Sequence, residues 1–135
     1  MSTVLLNTLT GKTSAGSIDV TGEGGSTTTN MQSGLAKVWC LLDGTGTIGV
    51  TDSLNIASAT DNGTGDYTTT ATNAFGNSTY VCCATSGQNS GDQISANNQG
   101  AARTTTAIRT QCQRSTSDSA LDCDFVETIR MGDLA

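Results

Sequence analysis

A two-residue alternation of apolar and polar side chains, the pattern of a β-strand with one face buried, sets in at Ala36. Ala36, Val38, Cys40 and Leu42 fall on one face of the first run, and Lys37, Trp39 and Leu41 on the other. Both faces are fairly apolar, which predicts a strand at the centre of a sheet or at an interface. Asp43-Gly44-Thr45-Gly46 then supplies a turn, and residues 47–56 return as a second strand with Val50, Leu54 and Ile56 as its apolar positions. Asp61-Asn62-Gly63-Thr64-Gly65 is the strongest turn signal in the chain, because Asn-Gly accepts the positive φ angles of a two-residue hairpin. Residues 67–72 form the strand that leaves it. Further strands are predicted over 79–84, where Tyr80, Cys82 and Ala84 share a face, over 103–113, and over 122–131. In the last, Cys123, Phe125, Glu127, Ile129 and Met131 share a face. Residues 85–102, eighteen positions with Ile94 as their one large aliphatic, read as a long loop that is functional or mobile.

The pattern before Ala36 is different. One apolar strand candidate covers 4–9, Ile18-Asp19-Val20 follows, and 21–30 is a Gly/Thr/Ser stretch with nothing to pack. Such a segment does not fold alone. It drapes over a larger partner or connects an anchoring strand to the main domain, so the chain divides into an arm, 1–34, and a β domain, 35–135. Val4, Leu5, Leu6 and Leu9 are the candidate anchoring residues of the arm.

Composition sharpens this picture. Thr (25), Ser (14), Gly (16) and Asn (9) make up nearly half of the 135 residues, and the hydrophobic fraction of 35% implies a thin core. Disorder is the alternative, but disordered chains are rich in Pro, Glu, Lys and Gln, whereas this one carries β-branched Thr punctuated by Gly and Asn. The expected fold is therefore all-β: an antiparallel sandwich or jelly-roll-like domain of seven or eight strands with an extended N-terminal arm. With much of its buried surface hydroxyl and backbone, such a domain gains little apolar burial to set against roughly 1–2 kcal/mol of ordering entropy per residue. Sheet edges lack Pro and have few Lys to guard them. Closed homo-oligomerisation is the expected remedy.

Charge and candidate chemistry exclude several functions. The net charge of −6 leaves no basic stripe for phosphates, so no nucleic-acid partner is expected. No apolar run approaches the 18 or so residues of a membrane span, and the N-terminus lacks a basic n-region, so neither membrane insertion nor secretion is expected and the chain folds in a reducing cytoplasm. Histidine is absent, which removes imidazole bases and ligands. Cys40, Cys82, Cys83, Cys112 and Cys123 form an odd set without CxxC spacing and read as buried apolar thiols. Asp118, Asp122 and Asp124 lack the Gly and Glu of a calcium loop and read as a solvated strand end. Asp61 and Asp66 flank the hairpin, where turn capping competes with a glycosidase-like pair. No enzyme, metal or cofactor is expected.

The stretch from Lys37 to Thr47, with Trp39 and Asp43-Gly44-Thr45-Gly46 inside it, is followed by Asp52-Ser53-Leu54-Asn55-Ile56-Ala57-Ser58 and Asp61-Asn62-Gly63-Thr64-Gly65-Asp66-Tyr67-Thr68. Together these resemble a block found in tail-fibre and other virion structural proteins of tailed bacteriophages. The resemblance covers 36–84, about a third of the chain, and Met1-Ser2-Thr3-Val4-Leu5-Leu6-Asn7-Thr8 is similar to the short signature that precedes the block. The chain departs from that pattern at Cys82-Cys83, where Val, Ala or Gly is usual, and in a longer arm before Lys37. The resemblance implies a virion protein made in the host cytoplasm: a trimeric tail-fibre domain for host attachment, or a capsid decoration or tail component that stabilises the particle. The arm would bind other virion proteins. Host cell-surface glycan would meet the 85–102 loop, through Gln88, Asn89, Asp92, Gln93, Asn97, Asn98 and Gln99, with the smaller 115–120 loop beside it. Trp39 is expected in the core, with sugar stacking as its other role.

Overall fold

A computed structural model of the protein describes residues 4–14, 17–91 and 93–135. The chain divides into two units, Met1–Leu35 and Ala36–Ala135. In the first, β1 (Asp19–Thr21) pairs antiparallel with β2 (Thr28–Asn30), closed by a Gly22 N–H to Thr27 carbonyl bond of 2.8 Å. The stretch read as flexible is thus the turn and second strand of a hairpin. One helical turn, α1 (Met31–Gly34), follows because the Asn30 side chain caps it, accepting from the Ser33 N–H at 3.3 Å. Residues 4–9, predicted as a strand, are irregular and exposed, and among the described residues no strand pairs with them.

The second unit is all-β and antiparallel. Its strands are β3 (Ala36–Asp43), β4 (Gly49–Leu54), β5 (Ile56–Gly63), β6 (Asp66–Ala71), β7 (Val81–Gly87), β8 (Ile94–Gln99), β9 (Ala107–Arg114) and β10 (Phe125–Met131). They form two four-stranded sheets, ordered β4-β3-β10-β7 and β5-β6-β9-β8. Each core cluster draws on both sheets: Cys40, Leu42 and Val126 meet Tyr67 and Cys112, while Val38 meets Ala71 and Ile108. Phe75 and Tyr80, stacked with ring centroids 4.2 Å apart, close the second cluster.

Four expectations are corrected. The strand predicted over 47–56 stops at Leu54, where Asn55 takes a φ of 58° and the chain crosses to the other sheet as β5. Asn tolerates that left-handed conformation, and its side chain fixes the crossing by accepting from the Asn73 N–H (2.8 Å) and donating to the Lys37 carbonyl (3.2 Å). The hairpin turn falls on Thr64-Gly65, beyond Asn62-Gly63, which remains in β5. Gly65 is the residue this turn requires: at φ 63° it sits where a Cβ would lie 2.5 Å from the Cys112 carbonyl. Residues 85–102 are not one loop, because β7 runs to Gly87 and β8 occupies 94–99, leaving only 88–93 as a connection. The strand predicted from 103 begins at Ala107, because Thr104 Oγ1 accepts from the N–H groups of Thr106 and Ala107 and holds a turn there.

β10 buries the face that carries Val126, Thr128 and Arg130, and leaves Phe125, Glu127 and Ile129 outside. Arg130 is fully buried. Its Nη1 donates to the Thr106 carbonyl at 3.0 Å and its Nη2 to the Thr69 carbonyl at 3.0 Å and to Thr69 Oγ1, so one side chain from the first sheet ties down two segments belonging to the second. Nε has no hydrogen-bond partner, and burial pushes the guanidinium pKa down from its ordinary value.

Candidate functional site

Sheet register determines what each outer face presents. On the first sheet, Leu54, Trp39, Ile129 and Cys83 are successive cross-strand partners and form one row across β4, β3, β10 and β7. The next row reads Asp52, Leu41, Glu127 and Thr85. Among the described residues of 36–135, the exposed large apolar side chains are Val50, Leu54, Val81, Phe125, Ile129 and Leu134, and all but Leu134 stand on strands of this sheet. Trp39 is therefore not a core residue: it is half-buried in the outer row, because Val38, Cys40 and Leu42 take the inner face of β3. A depression of about 190 Å³ opens along the β7–β10 seam, lined by Cys83, Thr85, Glu127, Thr128 and Ile129. Thr85 Oγ1 donates to Glu127 Oε2 there at 2.7 Å.

The outer face of the second sheet is polar across its central rows. Thr60, Thr68, Arg109 and Gln99 form its central row, and Asp66, Gln111 and Asn97 the next. Arg109 makes a bidentate pair with Asp66, Nε to Oδ1 at 2.6 Å and Nη2 to Oδ2 at 2.5 Å. Gln111 and Asn62 donate to the same carboxylate at 3.3 and 3.4 Å. Hydrogen bonding from Arg109, before any other cause, holds the Asp66 carboxyl below the usual carboxylate range. Asp66 is thereby committed to a surface network, while Asp61 Oδ1 accepts from the Gly63 N–H at 2.8 Å in a turn-capping bond.

The residues singled out for receptor contact are dispersed by the fold. Asn97 and Gln99 stand on β8 beside Gln111 and Arg109, within the polar face. Asn98 points the other way: its Nδ2 donates to the Cys82 carbonyl at 3.5 Å and its Oδ1 accepts from Thr110 Oγ1 at 3.1 Å. Gln88 Nε2 donates to the Asp122 carbonyl (3.1 Å), the Asn89 N–H to Asp124 Oδ2 (2.8 Å), and the Ser115 N–H to the Gln93 carbonyl (2.9 Å). These bonds lace the 88–93 and 115–124 connections together. Asp92 lies outside the described residues. Val4, Leu5, Leu6 and Leu9, in the other unit, are between 53% and 89% exposed.

The same end of the second unit joins two parts of the Asp-Gly-Thr-Gly and Gly-x-Tyr block. Tyr67 OH donates to Asp122 Oδ1 at 3.0 Å and lies 3.2 Å from the Gly44 carbonyl. A Cβ at Gly44 would meet the Tyr67 hydroxyl at 2.3 Å, so only glycine lets the ring close. Asp43 Oδ1 accepts from the Thr45 N–H (2.9 Å) and hydroxyl (2.7 Å), fixing the turn and lowering its own pKa. Asp122 Oδ1 also accepts from the Gly65 N–H at 2.7 Å. The aspartates of this end thus act as acceptors for backbone and hydroxyl donors, and among the described residues no group of three His, Cys, Asp or Glu is placed to hold a metal ion.

The sequence left two features of these surfaces unannounced: β8, whose Asn97 and Gln99 complete the polar face, and the Asp66–Arg109 pair. The diagonal offset of Asp66 and Arg109 is visible only once β6 and β9 are known to be neighbours. Comparison with protein-family models, curated proteins and solved structures finds no match to this chain.

Proposed function

We propose that this chain is a bacteriophage virion structural protein, most closely a tail-fibre domain for host attachment: a β-sandwich that assembles as a homotrimer through its apolar outer sheet face and turns its polar sheet face toward host cell-surface glycan. The observation that carries this reading is the segregation of exposed large apolar side chains onto the β4-β3-β10-β7 sheet. A contiguous exposed apolar patch marks an association surface, and a row with Trp39 at its centre has the aromatic anchor such surfaces use. The virion context comes from the resemblance of residues 36–84. Hydroxyls, amides and a held guanidinium on the opposite face match the hydrogen-bonding groups of a sugar. Val4, Leu5, Leu6 and Leu9 would tie the arm to other virion proteins.

A cement or decoration role is the second reading, favoured by one observation: the 88–93 connection is tied to 115–124 rather than projecting. Light scattering of the purified chain, with host-cell adsorption of wild type and of an Asn97→Ala/Gln99→Ala variant, separates the readings. A trimer whose adsorption falls in the variant supports the fibre domain. A trimer that does not adsorb leaves the cement role, and a monomer at micromolar concentration overturns assembly through the apolar face.

A further inference from the structure

Cys112 and Cys123 enter the core from different parts of the chain, one from β9 and one from the 115–124 connection that precedes β10. Both are completely buried, in one apolar cluster. The backbone brings them together. The Leu121 N–H donates to the Cys112 carbonyl at 3.2 Å, and Gln113 bridges Ala120, so 119–121 runs antiparallel beside β9 with Leu121 opposite Cys112. Cys123 is two residues further on, on the diagonal from Cys112 and therefore on the same side. Its thiol reaches inward, donating to the Leu121 carbonyl at 3.3 Å within the core cluster that also holds the Cys112 sulfur. Of the other three thiols, Cys40 shares the cluster but stands on β3, in the other sheet from β9 and without the backbone bonds that tie 119–121 to it, while Cys82 and Cys83 are adjacent on one strand and point to opposite faces.

We propose that Cys112 and Cys123 are a latent cystine, a modification site that closes when the chain meets a small-molecule disulfide or peroxide outside a reducing cytoplasm and that fastens the 115–124 crossover to β9. With glutathione disulfide as oxidant, the Cys112 thiolate attacks one of its sulfurs and expels a glutathione thiolate. The Cys123 thiolate then attacks the mixed disulfide at Cys112 and expels the second. One protein S–S bond forms, two protein S–H bonds are lost, and the two electrons and two protons leave in two molecules of glutathione thiol. Cys112 is the better attacking sulfur, because the Cys123 side chain beside it lowers its pKa while that of Cys123 is raised. Burial shields both from the oxidant in the folded state, so closure occurs during folding or transient opening.

The pairing reads out cleanly because Arg109, Arg114 and Arg130 bracket the two thiols. Trypsin places Cys112 in peptide 110–114, Cys123 in 115–130, and Cys40, Cys82 and Cys83 together in 38–103. The full chain is refolded in a glutathione redox buffer, trapped with iodoacetamide and mapped by mass spectrometry. The expected product is 110–114 joined to 115–130, with free thiols falling from five to three and a thermal midpoint about 5–10 °C above that of the reduced protein. A Cys82→Ser/Cys83→Ser variant, whose changes lie outside the pair, should give the same linkage. Recovery of both peptides unlinked, or linkage of either one to 38–103, overturns the proposal.

Discussion

On the outer face of one sheet the row crossing four strands reads Leu54, Trp39, Ile129, Cys83; on the outer face of the other it reads Thr60, Thr68, Arg109, Gln99. Both rows belong to antiparallel sheets of the same size that share their core clusters. The difference therefore does not arise from the needs of folding. A polar outer face is what water selects, and the threonines, amides and Asp66–Arg109 network of the second sheet satisfy it. The apolar row costs solubility without adding to the core, which is the ground for proposing it as an association surface.

The comparison can be broken at its root by removing the side chain that spans the sheets. Arg130→Ala removes the guanidinium donor to the Thr69 carbonyl and one of the two donors to the Thr106 carbonyl, which keeps the Ala71 N–H, and opens a cavity; it is expected to cost about 3–5 kcal/mol, read as a lower urea midpoint with both faces lost together. Arg130→Met, which keeps most of the volume, should recover part of this, because it also removes the desolvated charge.

A change confined to the apolar face should separate assembly from folding. Ile129→Lys is expected to weaken self-association by about 2 kcal/mol, roughly 30-fold, while monomer stability stays within about 0.5 kcal/mol. Sedimentation velocity over a concentration series, beside a denaturant titration, reads both quantities. On the polar face, Arg109→Gln should leave self-association unchanged, lower host-cell adsorption, and cost about 1–2 kcal/mol of stability, because the buried Asp66 carboxylate loses its charged partner and keeps only the Gln111 and Asn62 amides.

The smallest effect concerns pH. Because the folded pKa of Asp66 lies below its unfolded value, its contribution to stability is complete above the ordinary carboxylate range and is lost as pH falls through the folded value. Asp66→Asn should flatten that part of the acid limb in a denaturant series taken from neutral pH downward, and leave sedimentation unchanged.

How far the sequence foretold this arrangement depends on the strand. The alternation of β3 was legible because Val38, Cys40 and Leu42 are apolar and central. β5 was hidden because it is an edge strand whose inner positions are as modest as Ala59, and because Asn55, the residue that redirects the chain, resembles any other strand polar group. β8 was hidden for a related reason: of its inward positions only Ile94 is a large aliphatic, beside the small Ala96 and an Asn98 satisfied by Thr110 and Cys82, which leaves a weak alternation. In β10 the apolar face visible in the sequence, with Phe125 and Ile129, is the outer one, while the buried face carries Thr128 and Arg130. The two-residue period is legible in these strands, but it does not say which side is buried where the outer face carries the larger apolar side chains. Of the candidate receptor contacts, Asn97 and Gln99 share the polar face, whereas the polar run around them had suggested a loop.

The pairing of Ala36 with Met131 has a mechanical consequence. The first and last strands of the β unit are antiparallel neighbours, and 133–135 run on past them to pair with 74–76. A load applied between the two ends would first strip 133–135 from 74–76 and then peel the β3–β10 ladder one hydrogen bond at a time instead of shearing all of its bonds together. Suspended by one end alone, the unit would swing without strain on that seam; threaded in series between two pulling partners, it would unzip at low force.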